Sequence, residues 1–265
     1  MKFDKVLITG GSSGIGQELV SLLLEEGAEV HMISRTLEDK IDSMRLNFYP
    51  LDLVDSDSTY DFAQNFIKSH GIPDLIINNA GAGAFFEWDS FPKTQIKNQI
   101  NLLFLSPVFI CKAFAPEMAS LNSGKIVNIT SLANLYPVPY MPIYNSCKSA
   151  LSSFTRSLQI EYESKPAFID VVLGDVKTDF NSKIEKNNPN VFGKSADAAW
   201  NQVEKQLRES PTPDIIAKRL FSKIKKSRGG VIYEGGLTHR IVYPFLSRFL
   251  TQFLKNKILQ RRYFR

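Results

Sequence analysis

Lys5-Val6-Leu7-Ile8-Thr9-Gly10-Gly11-Ser12-Ser13-Gly14-Ile15-Gly16 is the stretch whose reading decides the fold. Val6, Leu7 and Ile8 run apolar without polar alternation, as a strand buried on both faces does. The glycines follow at once, and a helical pattern over 15–26 starts among them. Glycine is needed where a backbone turns tightly and approaches a pyrophosphate with no Cβ in the way. The helix start adds free N–H groups and partial positive charge. A glycine-rich string alone is a common turn. Placed between a first strand and a helix, it predicts a phosphate-binding turn made by Gly10, Ser12, Ser13, Gly14, Ile15 and Gly16.

Working outward, apolar runs at 29–34, 46–50, 75–78, 125–130, 169–173 and 230–234 alternate with helical patterns at 56–69, 93–119, 143–164 and 213–226. That alternation predicts βαβ units: an α/β, doubly wound, Rossmann-type parallel sheet of seven strands. With 265 residues and neither repeat nor linker, the chain reads as one domain over 1–236. Residues 179–212 are expected to form a substrate loop or lid, with a short helix at 196–207. Residues 237–265 read as a basic amphipathic C-terminal extension whose helix spans 244–260.

Charge separates these parts. Net charge is +5, yet residues 237–265 hold seven cations (Arg240, Arg248, Lys255, Lys257, Arg261, Arg262, Arg265) and no acid. Removing those seven leaves a body at −2, which argues against nucleic acid as a partner. Two cysteines make no disulfide framework, and the charged start Met1-Lys2-Phe3-Asp4-Lys5 is no signal peptide, so the expected location is cytoplasmic. The extension has two readings. One lays it on an anionic membrane or over a substrate entrance; the other, favoured on general grounds, packs it on its own domain or a second subunit. The expected assembly is a homodimer or tetramer.

The chemistry gathers around Tyr144-Asn145-Ser146-Cys147-Lys148, where Tyr and Lys lie one turn apart on a helix face. A free phenol titrates near ~10, and a neighbouring ammonium brings it into a useful range. Ser131 ends a strand thirteen residues earlier, at the sheet edge where such folds bind ligands. Asn101 is a polar residue set among Ile100, Leu102 and Leu103. Where NAD-binding folds carry an acid at the end of the second strand, this chain has Ser34 followed by Arg35, whose planar fork suits a 2′-phosphate. NADP(H) is therefore expected over NAD(H). No metal site is expected. Gly10-Gly11-Ser12-Ser13-Gly14 also matches a hydrolase nucleophile elbow on Ser12, a reading that needs a histidine against that serine.

Thr9-Gly10-x-x-x-Gly14-x-Gly16, Asn78-Asn79-Ala80-Gly81, Ser131 and Tyr144-x-x-x-Lys148 together resemble the short-chain dehydrogenase/reductase family, over residues 5 to about 235. The resemblance implies a sheet order 3-2-1-4-5-6-7 and roles for four residues. Tyr144 is then the acid/base, Ser131 steadies the substrate oxygen, Lys148 binds the nicotinamide ribose and Asn101 holds a relay water. It also implies cofactor contacts from Asp52 to adenine, from Asn79, Ala80 and Gly81 on the adenosine side, and from Val176 and Thr178 near nicotinamide. A non-catalytic nucleotide sensor on the same fold is the alternative. The loop from Leu132 to Ile143 is apolar and aromatic, which predicts a lipophilic ketone or alcohol held by Ser131, Leu132, Val138, Tyr144 and Phe180. Phe85, Phe86 and Val191 are further candidates for the pocket mouth.

Overall fold

In the strand β1 (Lys5–Thr9), successive side chains enter two different cores. Val6 and Ile8 pack with Leu19, Val20 and Leu23 of α1 (Gly14–Glu25) and with Ile216, Leu220 and Ile224 of α7 (Pro213–Lys226). Leu7 faces the other way, toward Phe66 of α2 (Ser56–His70) and Phe114 of α4 (Ser106–Ser120). The pleat thus sends one strand's residues into both layers, which is why the strand carries no polar alternation. Each such large side chain contributes roughly 1.5–3 kcal/mol on burial. The computed structural model describes residues 2–37, 43–163, 165–186 and 193–264.

Around β1 the sheet adds β2 (Glu29–Ser34), β3 (Leu46–Pro50), β4 (Leu75–Asn78), β6 (Lys125–Ser131), β7 (Ala167–Leu173) and β9 (Gly230–Glu234). Their order is β3-β2-β1-β4-β6-β7-β9, all parallel, so the seven-stranded order expected from the resemblance is the one observed. A separate pair, β5 (Ala84–Phe85) and β8 (Glu185–Lys186), ties the segment after β4 to the segment after β7. α3 (Lys93–Ile100), α5 (Pro142–Glu161), α6 (Lys194–Arg208), α8 (Tyr243–Ser247) and α9 (Gln252–Phe264) complete the helices used below.

Two helices differ from expectation. The stretch over 93–119 holds a π turn, Asn101–Leu105, between α3 and α4. Pro107 lacks an N–H and its ring crowds the carbonyl four residues back, so a wider turn there relieves both problems. The tail helix over 244–260 is also broken. A π turn, Thr238–Val242, leads into α8, and the chain tightens at 248–251 before α9. Phe249 and Leu250 both donate to the Leu246 carbonyl at 3.0 Å, and Thr251 Oγ1 accepts from Leu254 N at 3.4 Å. Thr251 therefore starts a new helix with its own cap.

Buried polar groups pin the sheet to α5. Asn78 donates to Asn128 at 2.7 Å, and Asn128 donates to Thr155 at 2.8 Å. Asp170, fully buried on β7, accepts from Thr130 Oγ1 and Ser152 Oγ at 2.6 Å each and from Arg156 Nε at 2.9 Å. Removing the carboxylate would strand three donors in the layer between β7 and α5. Asp170→Ala is expected to cost about 3 kcal/mol of stability, read as a lower urea midpoint with an unchanged slope.

Candidate active site

A cleft of ≈ 500 Å³ opens along the carboxyl edge of the sheet, lined by the residues that follow β1, β2, β4, β6 and β7. Its floor begins at the glycine turn, where Gly10 and Gly14 hold left-handed φ values of +67° and +57°. A Cβ on Gly16 would collide with the Gly10 carbonyl, and one on Gly14 would meet Thr178 at 3.3 Å. Asn79 Nδ2 donates to the carbonyls of Thr9 at 3.1 Å and Gly10 at 2.9 Å. In return Thr9 Oγ1 accepts from Asn79 N and Ala80 N, both at 3.0 Å. The turn is thus clamped to the end of β4, which leaves the N-terminal amides of α1 free for an anion.

All the expected cofactor residues line this one cleft: Gly10, Ser12, Ser13, Gly14, Ile15, Gly16, Ser34, Arg35, Asp52, Asn79, Ala80, Gly81, Tyr144, Lys148, Val176 and Thr178. At one end Ser34 Oγ donates to Thr36 O at 2.6 Å, and Asp52 accepts from Val54 N at 3.0 Å. Arg35 is exposed beside them and makes no ion pair among the described residues. Its sequence neighbours Glu38 and Asp39 lie outside those residues. Gln99, 2% exposed in the same wall, leaves its amide oxygen and nitrogen without partners. A glycine-cradled floor, an uncommitted cation and an orphaned amide are what a dinucleotide can occupy.

Ser131 is the last residue of β6, where its Oγ accepts from Ala133 N at 3.1 Å. It faces the Tyr144 hydroxyl, where its hydrogen-bonding pulls the phenol's pKa down. Pro142 opens α5, which sets Tyr144 in its first turn and Lys148 one turn later. The Lys148 ammonium donates to Ile129 O at 2.7 Å and lies 6.0 Å from the Tyr144 ring centre. Burial lowers the Lys148 pKa to about 8, against the opposing pull of Cys147 and Asp170. Tyr144 moves the other way. Burial raises its pKa, the Ser131 hydrogen bond opposes this, and the nearby Asp175 carboxylate adds to the rise. The expectation that Lys148 draws the phenol down is therefore not met in the protein alone. Withdrawal from water outweighs any attraction, so Tyr144 keeps its proton at neutral pH.

Asn101 stands apart from the other three. It opens the π turn, and its side chain donates to Val54 O at 2.9 Å rather than reaching the cleft wall. Asn98, Gln99 and Leu102 present themselves to the cleft there instead. Nor is the Ser12 hydrolase geometry present: no hydrogen bond joins Ser12 to a histidine among the described residues.

On the substrate side, Leu132, Val138 and Phe180 line the cleft as expected, with Phe180 6.1 Å from the Tyr144 ring. Phe85 and Phe86 do not. They are buried behind the cleft, Phe85 against Tyr140 and Trp200 and Phe86 against Phe91, because β5 turns them into small cores of their own. Val191 lies outside the described residues. Tyr140 takes a left-handed φ of +63°, an uncommon conformation for a bulky residue, within the loop that joins Ser131 to Tyr144.

Sequence reasoning offered the tail over a substrate entrance or packed on its own domain, but named none of the residues with which it forms a wall of the cleft. His239, Tyr243, Leu259, Arg262 and Tyr263 come from the tail and close the cleft together with Val203 and Leu207 of α6. The His239 ring packs so closely on Gly174 that a Cβ there would meet it at 2.5 Å, and its Nε2 is 3.6 Å from Asp175. Tyr136 donates to Tyr243 O at 2.9 Å and Arg262 to the Tyr243 hydroxyl at 2.7 Å, which pins the tail to the loop after β6. The available signal was Gly174, a glycine just past a strand end with room for another residue's ring.

A family model described as short chain dehydrogenase matches residues 4–189. A curated relative, 3-ketodihydrosphingosine reductase of Bacteroides thetaiotaomicron, is 32% identical over 197 residues, 73% of this chain and 71% of that one. The very-long-chain 3-oxoacyl-CoA reductase-B of Danio rerio is 30% identical over 195 residues, 68% of this chain and 61% of its own length. The crystal structure of a short-chain dehydrogenase from Streptomyces avermitilis shares the fold, with a TM-score of 0.78 at 19% identity over 97% of each chain.

The Lys148 shift has a measurable sign. Its folded pKa, about 8, lies below the unfolded value of 10.5, so the unfolded chain binds more protons between those values and stability rises with pH there. Below that window the buried ammonium is a cost that Lys148→Met does not carry. The stability difference between wild type and Lys148→Met is expected to move in favour of wild type by about 2–3 kcal/mol from pH 7 to pH 10, measured by urea unfolding of both proteins without nucleotide.

Proposed function

The chain belongs to the short-chain dehydrogenase/reductase family of oxidoreductases, and from that premise we propose that it is an NADP(H)-dependent reductase of a lipophilic ketone, with Tyr144 as the proton donor. The observation that carries this reading is that Ser131, Tyr144 and Lys148 line the same cleft as the glycine turn, Ser34 and Arg35, with the Lys148 ammonium 6.0 Å from the Tyr144 ring centre. When bound, the reduced nicotinamide supplies the hydride that a carbonyl carbon accepts.

The chain's own groups handle the oxygen. As negative charge grows there, Tyr144 gives up its hydroxyl proton and Ser131 Oγ keeps a hydrogen bond on the same atom, so carbonyl becomes alcohol. A phenol held protonated by burial starts in the state that reduction requires. Lys148 sits within reach of the ring edge and has ammonium hydrogens beyond the one spent on Ile129 O, which suits a ribose hydroxyl. Asn101, turned toward Val54, is left with a structural part in the helix rather than a place at the reacting atoms.

Two features support the finer assignment. Ser34 removes the negative charge that would repel a 2′-phosphate, and Arg35 beside it, without an ion pair among the described residues, offers a fork of donors. Leu132, Val138, Phe180, Val203, Leu207 and Leu259 supply apolar wall on the substrate side, between polar groups such as Gln206, His239 and Arg262. Both curated relatives are named for reducing a 3-keto or 3-oxo group, and such a ketone on a long alkyl chain is the substrate class we favour.

Tyr144→Phe is expected to lower turnover by at least ~10²-fold while NADPH binding, followed by its fluorescence, stays within a few-fold of wild type; full activity in this variant would remove the mechanism. Arg35→Ala is expected to weaken NADPH at least about tenfold and NADH hardly at all. Equal losses for both nucleotides would show that Arg35 does not read the 2′-phosphate.

A further inference from the structure

Past β9 the chain carries two apolar faces, and the domain covers only one. α9 turns Leu259 and Tyr263 inward against α6 and the cleft. Its other side presents Phe253, Leu254 and Ile258 to solvent, and the turns before it present Ile241, Phe245 and Phe249. Phe245, Phe249 and Phe253 are 60%, 70% and 64% exposed, and the first two rings stack 5.0 Å apart. Ten of the eighteen large apolar side chains exposed among the described residues fall between Leu237 and Phe264. Scattered apolar exposure is normal on any surface; this concentration marks a contact face.

Charge says what the face meets. Arg248, Lys257 and Arg261 are exposed on the same segment, which has no Asp or Glu from 237 to 265. The Lys257 ammonium lies over the Phe253 ring, 4.4 Å from its centre, so cation and apolar side chain share one exposed surface. We infer that this segment docks the protein onto an anionic lipid surface, with Phe245, Phe249 and Phe253 in the acyl boundary and Arg248, Lys257 and Arg261 among headgroup phosphates. A twofold partner would place the same cations against themselves with no acid between them, which disfavours a second copy. α9 has 13 residues and is about 20 Å long, so it lies on a bilayer whose core is about 30 Å thick and does not cross it. Tyr243, Leu259, Arg262 and Tyr263 line the cleft from the inner side of this segment, so docking sets the cleft wall beside the lipid. Nothing in the inference depends on the reaction proposed above.

Sedimentation of the full chain with vesicles tests it. The protein is expected to pellet with phosphatidylcholine vesicles containing phosphatidylglycerol, and far less with phosphatidylcholine alone or in high salt. The triple variant Phe245→Ser/Phe249→Ser/Phe253→Ser and the triple variant Arg248→Glu/Lys257→Glu/Arg261→Glu are each expected to partition at least about tenfold more weakly, with thermal melting unchanged. All six positions are exposed and outside the cleft wall, so folding and the site are untouched. Failure of the wild type to pellet with phosphatidylglycerol vesicles overturns the inference, as does equal pelleting by the charge-reversed variant. A wild-type dimer that the phenylalanine variant converts to monomer, with no vesicle binding by either, assigns the face to a second copy instead.

Discussion

Gly16 rests against the Gly10 carbonyl at a distance no side chain permits, and the Asn79 amide that donates to that carbonyl would meet the same Cβ. Everything in the cleft is placed relative to this contact. It fixes where α1 begins, and so where its free amides point. It also locks the end of β1 to the end of β4, beside which β6 delivers Ser131. Parallel strands end at one edge by topology, but the Thr9–Asn79 exchange of hydrogen bonds ties two of those ends directly together.

From that edge the polar groups divide into two sorts. Asn78, Asn128 and Thr155 form one chain of hydrogen bonds, and Thr130, Ser152 and Arg156 converge on Asp170 in another, so α5 is held on the sheet. Gln99 is buried with its amide unpartnered, and Arg35, exposed on the rim, makes no ion pair among the described residues. The two sets of hydrogen bonds under α5 keep Tyr144 and Lys148 in place, while Gln99 and Arg35 lie in the cleft, where a ligand would meet them. Burial then sets the protonation: it disfavours charge on either residue, raising the phenol and lowering the ammonium. The pair that spacing alone would describe as an activated base is, in this protein without a ligand, a neutral acid beside a weakened cation.

Much of the frame was legible because its physics is local. A buried parallel strand must be apolar along its length and end at a turn, so all seven strands of the large sheet lie where the apolar runs fall. The Tyr144–Lys148 spacing and the end of β6 at Ser131 are local as well. What stayed hidden depends on contacts between distant residues. Asn101 occupies the expected position, but the π turn that Pro107 favours aims its amide at Val54. Phe85 and Phe86 resembled pocket residues because nothing in their neighbourhood announces the pairing with Glu185 and Lys186 beyond β7. His239 gave no signal of its own, since its seat exists only where Gly174 and Gly235, past the ends of β7 and β9, approach it.

The tail shows why periodicity failed in one place and composition did not. A helix with one buried face sorts its apolar residues to one side, and an expected span of 244–260 assumed that arrangement. α9 instead has apolar residues on two sides, Leu259 and Tyr263 toward the cleft and Phe253, Leu254 and Ile258 away from it. Such a helix cannot be satisfied by its own domain, however the chain is broken at Thr251. The inner side is held through Tyr136, Tyr243 and Arg262, so the tail is a wall of the cleft and does not swing free of it. A partner on the outer side would therefore meet it while the cleft is formed, across α9 from Leu259, Arg262 and Tyr263, which line that cleft.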